Sequence, residues 1–301
     1  MDLTGQNLET ISSIHLHNMS IEEMVEADRR EGERIHFSSG VWWREVKPFF
    51  YLPASFMTRI VPHQAKPQPW RALGGYYHMV PPGVSGNGMI VTNEISNPAN
   101  YALESIGRDK RRQIRRGLAS LRIARVEELN DLLGDGYRVY LDWERKTKDV
   151  RVKLSNPAVF GRWITRTFRH PYKLILGAYA QNHLVAFLIV DAVEGVGQAL
   201  KICSDSAFDE LTPSSVLYYA YVRICGHHGQ IHKACAGFRT LKGSLEHYKS
   251  RLGYQHVSYP AFISFRPVIR PLVRWLMPME YRRLMGQYPA ESNVAPLPPA
   301  A

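Results

Sequence analysis

The sequence predicts an α+β fold: a mixed, mostly antiparallel sheet flanked by helices, with a smaller α+β lobe ahead of it. Three observations carry this. Two β-rich runs, 172–180 and 183–191, flank Gln181-Asn182, a tight hairpin signal. A third run, 198–205, follows and leads through a polar loop to Thr212-Pro213. There Thr212 suits an N-cap, and Pro213 suits a first helical position because its missing N–H would be unpaired anyway. The helix so opened reaches His227 or His228, places Leu217, Ala220, Tyr221 and Ile224 on one face, and stops at Gly229.

The flanks complete the order. A short strand, 121–126, and two helices, 127–148 and 156–170, precede the hairpin. After the central helix come a short apolar strand, 231–236, and a second basic helix opened by Gly237 and ending at Leu252-Gly253. A closing hairpin, 254–259 and 261–266, turns at Pro260. The expected order is β-α-α-β-β-β-α-β-α-β-β. Upstream, 1–20 lacks strong periodicity and reads as a loose leader. Residues 21–33 form a helix with Ser20 and Glu23 as a capping box. Strands are expected at 34–38, 41–46 and 88–95, with a proline-rich aromatic loop at 48–69 and a turn-rich connector at 74–87. Residues 101–118 form a helix crowded with Arg108, Lys110, Arg111, Arg112, Arg115 and Arg116. The chain thus divides into a lobe (1–118), a main domain (119–266), and a basic arm with a Pro/Ala-rich, disordered tail (267–301).

At 301 residues, with 45% hydrophobic and 22% charged residues, the chain can bury a substantial core. Its net charge of +11 favours an anionic partner: nucleotide, nucleic acid, acidic polymer or lipid headgroup. Three cysteines, all at core-like positions, fit a reducing compartment and argue against a disulfide framework. No stretch is long and apolar enough to span a membrane and no signal-peptide core is present, so a cytoplasmic chain is expected, with a membrane surface as a peripheral option. The arm at 267–287 alternates Arg270, Arg274, Arg282 and Arg283 with Val268, Leu272, Trp275, Leu276 and Met277. Such a segment can lie on anionic lipid, but Pro271 and Pro278 break it, and packing on its own domain is the expectation. Cys225, His227, His228, His232 and Cys235 have a loosely zinc-like spacing. Without a CxxC pair they read as core thiols and surface histidines, and no metal is expected.

The element order resembles the GNAT N-acyltransferase fold. Within it, SLEHYKSRLGY (244–254) is similar to a segment near the end of FemAB-like acyltransferase domains, an aromatic-Lys pair three residues before an apolar-Gly pair. RDKRRQIRRGL (108–118) is similar to the basic helix those proteins carry before the first strand of the domain. The resemblance covers about 101–266. The Gln/Arg-x-x-Gly-x-Gly/Ala loop of ordinary GNAT enzymes is absent, and SDSAFDELTPSS (204–215) stands in its place. Acyl-CoA is the expected donor, with a larger carrier such as an aminoacyl-tRNA as the alternative.

The resemblance implies acyl transfer to an amine by direct attack in a ternary complex, at a gap where strand 201–205 splays from strand 232–236. Lys201 and Ser204 on the splayed strand, with Thr212, Ser214 and Ser215 at the helix start, are expected to hold the carrier; the last three offer hydroxyls and free amides to its phosphates. Lys249 is the position the resemblance marks, for stabilising a developing oxyanion or the donor's charge. Tyr248, or His247, would protonate the leaving group, and Asp205 or Glu144 would take the amine's proton. Arg239 would clamp an acceptor carboxylate, and Arg111 and Arg115 an anionic substrate. A non-catalytic module that binds an anionic polymer or a membrane is the reading outside enzymology.

Overall fold

The structure, a computed structural model, describes residues 2–147, 154–227 and 229–288. Met1, Lys148 at the expected end of the helix 127–148, His228 and the tail 290–301 lie outside the described residues. In chain order the elements are α1 (Thr4–Ser13), β1 (Asn18–Met19), α2 (Ile21–Arg30), β2 (Ile35–Ser38), β3 (Val41–Lys47), β4 (Phe50–Pro53), β5 (Gly75–Met79) and β6 (Gly88–Ser96). They continue with α3 (Arg108–Ser120), β7 (Arg122–Arg125), α4 (Leu129–Asp131), α5 (Tyr137–Thr147), α6 (Pro157–Arg169), β8 (Leu174–Ala180), β9 (His183–Val193) and β10 (Val196–Ser204). Last come α7 (Pro213–His227), β11 (Lys233–Phe238), α8 (Gly243–Ser250), β12 (Gln255–Ser264), α9 (Ile269–Leu276) and α10 (Pro278–Leu284). The class is the expected one, mixed α and β with a mostly antiparallel sheet.

Two compact units interleave along the chain. Of the described residues, the first takes those up to 20, 94–237 and 248–255; the second takes 21–93, 238–247 and those from 256 on. The sequence reading drew contiguous segments, cut at 118 and 266.

In the first unit the strand order is β7-β8-β9-β10-β11, antiparallel throughout except for the last, parallel pair. β8 and β9 are buried along nearly their whole length, and a core lies on each face. One face packs α1, α3 and α7 through Ile114, Leu118, Val216, Leu217 and Ala220. The other packs α5 and α6 through Tyr140, Phe160 and Ile164. The expected helix 127–148 is α4 and α5 joined by a π-turn at Leu132–Gly136, and the expected helix 101–118 becomes α-helical only at Arg108.

The expected loose leader is ordered. Asn7 Nδ2 donates to the carbonyls of Leu118 and Leu121, and its Oδ1 accepts from Ile123 N, each at 2.7 Å. One buried amide thus ties off the end of α3 and the start of β7, where backbone groups would otherwise be left unpaired. β1 then pairs in parallel with β9 at Ala192 and Val193, beyond the point where β8 stops.

In the second unit the strand order is β2-β3-β4-β5-β12, with β4 and β5 parallel. Two expected irregular stretches hold strands here: β4 lies inside 48–69 and β5 inside 74–87. The expected closing hairpin at 254–266 is instead one strand. Tyr259, Ala261 and Ile263 are buried in alternation straight through Pro260, whose carbonyl accepts from Val80 N. Gly237 does not open a helix either. It lies within β11 at φ +78°, and α8 starts only at Gly243, after Glu246 Oε1 accepts from both the amide and the hydroxyl of Thr240 at 2.9 Å.

Candidate active site

The expected splay is present in the first unit. β10 pairs with β11 only at Val196↔Lys233, Gly197↔Ala234 and Gln198↔Cys235. From Ala199 to Ser204, β10 remains on β9 alone. A register shift between Ala199 and Lys201 bulges Leu200 outward, and this apolar residue of an interior strand is 44% exposed. The result is a fork whose inner edge carries backbone groups from two diverging strands.

Side chains from two helices reach the β11 arm of the fork. Tyr221 of α7 donates its hydroxyl to Cys235 O at 3.3 Å. It comes close because position 197 is glycine: a Cβ there would lie 3.0 Å from the Tyr221 hydroxyl and 2.6 Å from Cys225 Sγ. Lys249 of α8 donates Nζ to Ala236 O at 2.8 Å and is only 5% exposed. A buried ammonium therefore stands against the β11 arm of the fork. The neighbouring Tyr248 is half-buried, and burial raises its phenol well above the usual range, so it is a neutral O–H donor at physiological pH.

Behind Tyr248 is a group that sequence reasoning missed. Lys110 of α3 is 6% exposed, donates Nζ to Ser215 Oγ at 3.0 Å, and has Nζ 4.8 Å from the Tyr248 ring centre. Ser215 Oγ lies 3.1 Å from the Tyr248 hydroxyl. The polarity of this chain follows from donor counting. An ammonium only donates, so Ser215 accepts from Lys110 and can give its own proton to Tyr248. The Tyr248 hydrogen is then left for another acceptor. Burial, reinforced by the nearby Arg251, lowers the Lys110 pKa. The signal was legible in part: Lys110 precedes Ile114, Gly117 and Leu118 at four, seven and eight residues, the apolar face of α3.

The residues of the expected phosphate site are held in this same arrangement. Thr212 is no ordinary N-cap: its φ is +48°, and its Oγ1 donates to Gln113 O at 3.4 Å. The amides of Ser215 and Val216 both return to Thr212 O. α3 packs directly on this turn, since a Cβ at Gly117 would lie 2.5 Å from Val216 Cγ2 and 2.6 Å from Leu211 O. Ser215 is thus buried and engaged with Lys110 and Tyr248, while Thr212 and Ser214 are half-buried.

The remaining expected residues have defined partners. Lys201 Nζ sits 3.2 Å from the ring centre of Trp143 and 5.5 Å from that of Tyr140, on the α5 face. Ser204 ends β10 opposite Ala186. Asp205 caps the turn after β10 by accepting from Ala207 N at 2.9 Å, with Arg138 Nε at 3.9 Å. Glu144 accepts from the Tyr140 hydroxyl at 3.2 Å. Asp142, which the sequence reading passed over, also braces this turn by accepting from Ser206 N at 2.7 Å. Arg111 is spent on the carbonyls of Glu104 and Ile106, and Arg115 pairs with Glu104 at 3.5 Å in solvent. Arg239 belongs to the second unit, where its guanidinium stacks on Tyr288 at 4.8 Å. The three cysteines are buried; burial pushes the thiols of Cys203 and Cys235 up to about 12 and that of Cys225 higher still, which leaves none as a ready nucleophile.

No protein-family model matches the chain, and no curated protein matches it in sequence. Solved structures do match in shape. The crystal structure of FemX aligns with a TM-score of 0.54 at 9% identity, covering 91% of this chain and 98% of that one. The C-terminal DUF2156 domain of a putative lysylphosphatidylglycerol synthetase from Agrobacterium fabrum aligns at 0.51 and 11% identity, covering 94% and 97%. A GCN5-related N-acetyltransferase from Kribbella flavida aligns at 0.43 and 10% identity, over 82% and 96%. The chain shares the fold of FemX and of that DUF2156 domain, as the resemblance implies.

Proposed function

We propose that the protein is an N-acyltransferase that aligns an activated acyl carrier with an amine in the fork between β10 and β11. The observation that carries this reading is the ladder that stops after three residue pairs beside a buried ammonium and a neutral phenol. Backbone groups of the fork would fix the acyl carbonyl. The Lys249 charge would stabilise the oxyanion that develops as the amine attacks, and Tyr248 would give its proton to the departing oxygen or sulfur. Ser215 and Lys110 would hold Tyr248 with its proton directed away from them and replace that proton afterwards. The amine reaches the fork as the free base, and Asp205, at the outer end of β10, would receive its proton.

For the donor, sequence favoured acyl-CoA. The covered first turn of α7 favours the other carrier that the sequence left open, an aminoacyl-tRNA, whose phosphates need no helix end. The exposed Arg108, Arg112, Arg115 and Arg116 of α3 suit a polyanionic backbone. The name of the putative lysylphosphatidylglycerol synthetase domain is in keeping with transfer of a lysyl group. The test is a mass-shift assay on a panel of amines, with aminoacyl-tRNAs and acyl-CoAs supplied in parallel. Transfer from aminoacyl-tRNA, lost in Lys249→Met, is the expected result. Transfer from acyl-CoA alone would reassign the donor, and transfer from neither would overturn the enzymatic reading.

A further inference from the structure

The end of the arm after β12 packs on its own unit, with Leu284 and Met285 against the core around Tyr77, Met79 and Ile263 and Tyr281 stacked on Phe265, but the apolar face of α9 does not. Along α9 and α10, Val268, Leu272, Trp275, Leu276, Met277 and Met279 are all exposed, and no residue of either helix is buried. Trp275 is 77% exposed, extreme for so large an apolar side chain. Val268, Leu272, Trp275 and Leu276 follow one another at four, seven and eight residues and so share one face. Arg270 and Arg274 lie on the other face of α9. Pro271 and Pro278 do break the segment, yet each falls in the first turn of a helix, where proline is tolerated.

The exposed face continues onto neighbouring loops of the same unit. Arg266, at the root of the arm, donates to Pro69 O at 3.2 Å, next to Trp70, which is 68% exposed. Phe265 stacks on Phe50 at 5.6 Å, next to the exposed Phe49, and the exposed Leu73 lies on the same loop as Trp70. The residues 266–284 carry five arginines and one acid, Glu280, which is paired with Arg283 at 2.7 Å. None of the α helices is long and apolar enough to cross a bilayer among the described residues.

We infer that α9, α10 and the Trp70 loop form a docking surface for an anionic lipid bilayer. The apolar face of α9 enters the headgroup boundary, and the arginines reach phosphate from its polar side. An exposed apolar helix face with Trp275 on it, a second exposed tryptophan at Trp70, and flanking arginines has the composition of an interfacial anchor. A self-association face would need acidic groups to answer the arginines, and the one acid of the segment is paired within it. The charge pattern selects an acidic surface.

The full chain is sedimented with vesicles of phosphatidylcholine alone, and with vesicles in which about a quarter of the lipid is phosphatidylserine. Binding to the anionic vesicles, weakened by salt, is expected. Trp275→Ser with Leu276→Ser should lower the partition coefficient by about tenfold or more, since each loses the transfer of a large apolar group. Arg270→Gln with Arg274→Gln should remove the preference for anionic lipid. These positions are exposed, so thermal unfolding should be unchanged, which separates loss of docking from loss of fold. No binding to either vesicle, or binding indifferent to both variants, overturns the inference. A dimer in solution that Trp275→Ser with Leu276→Ser dissociates would overturn it in favour of a second copy as occupant.

Discussion

Lys110 Nζ donates to Ser215 Oγ at 3.0 Å inside the first unit; the ring of Tyr248 is its other contact among the described residues. A buried ammonium satisfied by a hydroxyl and a ring, with no carboxylate in that set, is a poor way to gain stability. Its pKa is lowered in the folded protein, so below the unfolded value the unfolded chain binds the proton more tightly. This position therefore costs stability at neutral pH, and the cost is relieved as pH rises through the folded pKa toward that of a free lysine. Lys110→Met should be neutral to stabilising, by up to about 2 kcal/mol at pH 7, with a flatter alkaline limb in its stability profile. Denaturant melts from pH 7 to pH 10 read this directly. The same variant should lose acyl transfer, because Tyr248 loses its proton supply.

Ser215→Ala should behave in the opposite way. It strands the Lys110 ammonium and the Tyr248 hydroxyl together, at a cost of about 2–3 kcal/mol. In the double variant with Lys110→Met most of that loss should return, because only the half-buried phenol is then left to repair. A double-mutant cycle on unfolding free energy tests the coupling, and strict additivity would contradict it.

Lys249→Met should have two effects that can be separated. Removing the bond to Ala236 O leaves a buried carbonyl unpaired, worth about 1–3 kcal/mol in a denaturant melt. Transfer should fall by about 10²–10³, the range for losing one oxyanion partner. Tyr248→Phe keeps the ring against Tyr218 at 6.2 Å and should be milder in stability, while transfer falls by about 10²–10⁴.

Gly117→Ala reverses ordinary helix propensity. In an exposed helix interior the change gains about 1 kcal/mol. Here the added Cβ would lie 2.6 Å from the backbone carbonyl of Leu211, which cannot rotate aside. A loss of about 2 kcal/mol or more, read as a drop in Tm, is expected.

Much of the fork was legible in the sequence because it rests on local signals. The Gln181-Asn182 turn, Pro213 and the strand–helix–strand order around α7 all survive in the structure. What was not legible depends on contacts distant in sequence. Thr212 looked like a cap, but α3 packs on its turn, and its hydroxyl goes to Gln113 almost a hundred residues away. The basic run on α3 read as one charged surface, whereas Lys110 is turned inward. Pro260 read as a bend because a proline usually interrupts a ladder, but its period-2 neighbours override it. The arm was expected to pack, and it does so at Leu284 and Met285, but the apolar face of α9 stays exposed.

The central claim, that the fork receives the activated acyl carrier, is tested most directly by amide hydrogen exchange on the full chain with and without aminoacyl-tRNA, with acetyl-CoA run alongside. Protection confined to residues 199–204 of β10 and 235–237 of β11, absent in Lys249→Met, is the predicted result. A donor that binds and protects other segments while the exchange of these amides stays unchanged would contradict it.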